Sequence, residues 1–203
     1  MSVRLITLFL RARLAGWAVL GLVAVCVAFF VVGALRADDE ELAAGERLAV
    51  PLILALLIVG TTRSPFGDVE AIASQPLGLL RLGKLAGLGL LAVMGAVLAA
   101  GSWQGDDPRL LLVRNLGGLT GIGLLAAVLF GVSLAWVAPM LVAFIALFAT
   151  PEGLSMAGSD MLWTWLSRPI DDLGALTIAL VITAAGLAAN ARRGARIELD
   201  DGS

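Results

Sequence analysis

The chain alternates between long apolar runs and short polar intervals, and the lengths of the runs decide the class of fold. Leu14–Leu35 is almost wholly apolar, and shorter or longer runs of the same kind recur to the end of the sequence. A helix crossing about 30 Å of hydrocarbon needs about 20 apolar residues. On that measure the pattern predicts an all-α, polytopic membrane protein with six transmembrane helices in a single domain. The spans fall at about 14–35, 43–62, 85–102, 110–130, 133–150 and 173–190. The run from Leu110 to Thr150 is twice what one crossing requires, so it folds back near Gly131–Ser133. The second span has the weakest boundary: its purely apolar part, Leu48–Gly60, is short, and Pro51 sits near its first turn or kinks it.

Between the runs lie the polar intervals. Residues 2–13 place Arg4 and Arg11 on one helical face and Leu5, Leu8, Phe9 and Ala12 on another, which predicts an N-terminal helix lying in the membrane interface. Arg63–Lys84 is the longest interval on the expected cytoplasmic side. Within it Phe66, Val69, Ile72 and Ala73 share a face, Asp68 and Glu70 lie off it, and Pro65 and Pro76 bracket the piece. This predicts a short surface helix, and spacing alone leaves open whether it docks on a soluble partner or rests on headgroups. Glu152–Asp172 is a second long interval, with Trp163 and Trp165 expected at interfacial depth.

Composition agrees with the pattern. The 203 residues are 60% hydrophobic and 15% charged, with a mean hydropathy of +0.98, too apolar and too sparsely charged for a water-soluble domain. Charge also orients the chain. With both termini inside, the cytoplasmic segments hold Arg4, Arg11, Arg13, Arg63, Arg81, Lys84, Arg192, Arg193 and Arg196, the larger share of the 14 basic residues. Arg36, Arg47, Arg109, Arg114 and Arg168 fall outside, and the excess inside follows the positive-inside rule.

The inventory removes several chemistries. The sequence has no His and one Cys, so a Cys/His zinc site, an intrachain disulfide and a His general base are excluded. Cys26, within the first run, reads as a small buried hydrophobe. Gly117, Gly118, Gly121 and Gly123 lie inside an apolar span and lack the GK[ST] of a P-loop; they read as a helix-packing surface. The chain is therefore expected to bind no cofactor and no nucleic acid, and not to be an enzyme.

Two constellations are candidates for a site. Arg114 and Asn115 stand at the start of span four, and an arginine there either anchors in the interface or belongs to a polar pathway. Trp136, Met140, Phe144 and Phe148 recur every fourth residue along span five, beside Pro139. That stripe serves helix packing or lipid contact, or else an apolar path or a dimer seam.

The segment GDVEAIASQPLGLLRLGKL, followed by RNLGGLTGIGLLAA, resembles the short six-span permease subunits of ABC-type exporters from high-G+C bacteria. The likeness extends in topology over most of the chain. It implies that two such subunits, identical or homologous, pair in the bacterial cytoplasmic membrane. Each would meet a separate cytoplasmic ABC ATPase, which carries the ATP, through a coupling helix between spans two and three. Here that helix would hold Phe66, Asp68, Val69, Glu70 and Ile72. The resemblance implies alternating access as the mechanism and re-entrant helices in the last external loop. The competing expectation is a non-transporting assembly or immunity partner of another membrane complex. An ion-coupled carrier is disfavoured, because no span carries a central Asp or Glu.

Overall fold

The structure, a computed structural model of the chain, describes residues 15–35, 42–62, 77–99, 108–148, 164–169 and 171–193. Among these residues it is all-helical, with six α-helices and no strand. We number them α1 (Ala15–Leu35), α2 (Leu42–Gly60), α3 (Leu77–Ala99), α4 (Pro108–Phe130), α5 (Val137–Phe148) and α6 (Leu173–Arg193). The expected interfacial helix at residues 2–13 and the coupling segment at 65–76 lie outside the described residues.

Three segments are long and apolar enough to cross a membrane: Arg81–Leu98 in α3, Arg109–Phe130 in α4 and Leu173–Arg193 in α6. The apolar stretches Val19–Val32, Leu48–Gly60 and Val132–Leu147 are shorter. Side-chain placement reinforces the membrane character. Leu20, Val27 and Phe30 of α1, Leu90, Met94 and Leu98 of α3, and Leu180 and Val181 of α6 all face outward. Small residues such as Ala92, Ala96, Ala127, Ala175 and Ala179 are buried. Large apolar side chains outside with small ones at the helix contacts are what a hydrocarbon solvent favours, since burial there gains little and close packing gains most.

α4 is the central element, packing most extensively against α6 and then α2. The glycine run of α4 explains the first contact. A β-carbon at Gly121 would stand 2.6 Å from the Ile182 carbonyl oxygen, and one at Gly186 would stand 2.5 Å from the Gly121 carbonyl oxygen. The two backbones touch here, and only glycine on each side permits it. Gly117 meets Thr183 of α6, while Gly123 on another face receives Val59 of α2. Cys26 is half-buried and packs on Gly95, joining α1 to α3.

The helix directions follow from paired contacts. The start of α6 lies near Arg114, whose guanidinium bonds the Pro169 carbonyl, and its later part lies against Gly121, so α4 and α6 run parallel. The start of α3, at Gly78, meets the end of α6, at Ala191, so those two are antiparallel.

One detail differs from the sequence expectation. α3 begins at Leu77, eight residues before the expected Leu85, so Leu77–Lys84 is helix rather than connection. Its charges do not end it, because the Lys84 ammonium is buried and donates to the Thr61 carbonyl at the end of α2. There it satisfies a carbonyl that the helix leaves open and sits at the negative end of the dipole. The turn at Gly131 is present as expected, with φ 89°, followed by a 3₁₀ turn over Val132–Leu134. Pro51 is inside α2 and fully buried.

Candidate functional site

Two buried polar residues stand side by side in the first part of α4. Arg114 is 4% exposed and Asn115 is fully buried. The Arg114 guanidinium donates from Nη1 to the Pro169 carbonyl (2.9 Å), and from Nη2 to the carbonyls of Arg168 (2.8 Å) and Leu166 (3.3 Å). Its Nε donates to Asn115 Oδ1 (3.2 Å), and Asn115 Nδ2 donates in turn to the Leu166 carbonyl (2.9 Å). Adjacent residues of one helix thus hold a non-helical turn, residues 164–169, against the bundle. Arg114 points inward to this turn.

Trp165 closes the same junction. The sequence places it at the interface, but it is 1% exposed, its indole ring packed on Gly118 where a β-carbon would collide with it. Beyond the turn, Asp172 accepts from the backbone N–H groups of Gly174 (2.8 Å) and Ala175 (3.1 Å), capping the first turn of α6. Arg168 pairs with Asp172 at 2.9 Å. The bond from Arg168 and the backbone donations from Ala175 and Gly174 hold the Asp172 carboxyl below the usual carboxylate value. An Asp just before an apolar run is a readable helix-start signal, and it marks the beginning of α6 in the sequence itself.

Below this junction α3, α4 and α6 diverge around a cavity of about 580 Å³. α3 contributes Leu82, Leu85, Gly89 and Val93; α4 contributes Val113, Gly117 and Thr120; α6 contributes Leu176, Leu180, Thr183 and Leu187. Arg114 lines it too. The Thr183 hydroxyl bonds the Ala179 carbonyl, whereas Thr120 Oγ1 is buried without a partner. A space of this kind holds an apolar body of small-molecule size and offers one cation.

The stripe on α5 is elsewhere. Trp136 (53% exposed), Met140 (42%) and Phe144 (61%) face outward and do not line the cavity. Phe148 ends the same helix. Arg114 and the α5 stripe therefore belong to separate places: one to the interior, the other to an outer face. Phe66, Asp68, Val69, Glu70 and Ile72 lie outside the described residues.

Comparison of the chain with models of protein families, with curated proteins and with solved structures finds no match.

Proposed function

We propose that the chain is the transmembrane permease subunit of an ATP-driven exporter, paired with a second permease copy and served by a separate cytoplasmic ATPase. The observation that carries this reading is the half-open apolar cavity of about 580 Å³ between α3, α4 and α6, the three helices fit to cross a membrane. A space walled by spanning helices is where a transporter holds its cargo between the two faces of the bilayer, and a purely structural bundle has no use for it. The helix directions support six crossings. α4 and α6 run parallel, so a return across the same thickness between them fits the reading, and α5 with the 3₁₀ turn before it is the described part of that stretch.

In this arrangement residues 63–76 connect α2 to α3 on the cytoplasmic side, where Phe66, Val69 and Ile72 form the apolar face presented to the ATPase, with Asp68 and Glu70 at its rim. Lys84, bonded to the Thr61 carbonyl, fixes the two ends of that connection to one another. Force applied to the connection then reaches α3, one wall of the cavity.

The test is purification from the native membrane in a mild detergent, with mass spectrometry of what accompanies the chain. An ATP-binding subunit should co-purify, and Ile72→Asp should lose it, since an unpaired charge on the apolar face is left buried in the contact. Co-purification of a different membrane protein without any ATPase would replace the exporter by an assembly partner.

A further inference from the structure

The cavity has a chemical polarity that specifies its occupant. Its walls, among them Leu85, Val93, Val113 and Leu180, are apolar, and Arg114 supplies its charge. A guanidinium has five N–H groups. In Arg114 the Nε proton goes to Asn115 Oδ1, and the Pro169, Arg168 and Leu166 carbonyls take three more, which leaves one Nη1 proton. All four acceptors are neutral, and Arg114 forms no ion pair among the described residues. Asp172, the nearest influence of opposite sign, is already bonded to Arg168. Arg114 is thus a lining residue with no carboxylate bonded to it among the described residues, and the Thr120 hydroxyl is without a partner in the same wall.

We infer that this cavity binds a single-chain anionic amphiphile, of which a long-chain carboxylate is the simplest, with its tail along the apolar walls and its headgroup on Arg114. A cationic amphiphile would meet Arg114 with like charge. A sugar or another polar solute would leave its hydroxyls without partners against leucine and valine walls. The volume, about 580 Å³, suits one chain and is within the range of about 300–1,000 Å³ usual for small-molecule sites. That the amphiphile is the cargo rests on the exporter reading; that it binds here does not.

Binding is measured on the purified full chain in a neutral detergent, without any ATPase, so its outcome is separate from co-purification. The probes are radiolabelled palmitate, hexadecanol and hexadecyltrimethylammonium. Palmitate should bind at least about tenfold more tightly than the alcohol, a difference of about 1.4 kcal/mol, and the cation should not compete. Arg114→Gln should lose the preference for carboxylate over alcohol. Gly89→Leu fills the cavity from a position where a β-carbon meets nothing within 4 Å, and should weaken palmitate and hexadecanol together. Equal binding of palmitate and hexadecanol to the wild type would overturn the role of the headgroup and leave Arg114 a structural clamp. Unchanged palmitate binding by Gly89→Leu would overturn the site, whatever the folding of the Arg114 variant.

Discussion

An arginine within a membrane helix is costly, up to about 2.5–3.5 kcal/mol at the helix centre on insertion scales. Arg114, nearer the start of α4, offsets its cost with carbonyl acceptors, each hydrogen bond to a charged group contributing about 1.5–3 kcal/mol. The oxygens of Leu166, Arg168 and Pro169 are spread around the planar fork of the guanidinium, which the compact ammonium of lysine cannot span. Arg114→Lys should therefore lower the thermal unfolding midpoint, with a cost of about 2 kcal/mol or more from carbonyls left without donors. Arg114→Leu should cost more again. Full stability of the lysine variant would restore the snorkelling anchor. The sequence makes Arg114 conspicuous by its cost but hides its partners. They are backbone carbonyls of a turn some fifty residues away, and a carbonyl leaves no mark in a sequence. Trp165 is obscure for a related reason, because a Trp beside a polar loop reads as interfacial until Gly118 is seen to make room for it.

At the scale of elements the glycines were legible. Gly117 and Gly121 stand four residues apart, the Gly-xxx-Gly spacing read as helix packing, and α4 meets α6 through them and α2 through Gly123. The consequence separates two otherwise similar substitutions. Gly121→Ala would press a β-carbon into the Ile182 carbonyl, which is backbone and cannot move aside, so α4 and α6 must part at a cost of about 1–3 kcal/mol. Gly87→Ala on α3 meets nothing within 4 Å and should be neutral or stabilising by about 0.5–1 kcal/mol through helix propensity. Unfolding of both variants in detergent checks this, and equal effects would contradict the close approach. The early start of α3 was not legible. Arg81 and Lys84 made Leu77–Lys84 look like connection, and the Thr61 carbonyl at the end of α2, brought near by the fold, is a partner for the buried Lys84.

For the whole molecule, apolar run lengths suffice to give an all-helical fold of membrane character, and the long run from Leu110 does break at Gly131. The cavity was beyond reach of the sequence, since its walls come from three helices whose lateral order no periodicity encodes. In the proposed exporter the connection between α2 and α3 joins the cavity to function, and the central proposal is that Ile72 contacts an ATPase. The most direct measurement is photo-crosslinking in intact cells from that position, using Ile72→benzoylphenylalanine and mass spectrometry of the adduct. The account predicts a crosslink to a subunit carrying a P-loop, formed from position 72 and absent when the same photo-reactive residue replaces Phe144 on the outer face of α5. A crosslink from position 72 only to lipid, or to a membrane protein without a nucleotide site, would contradict it.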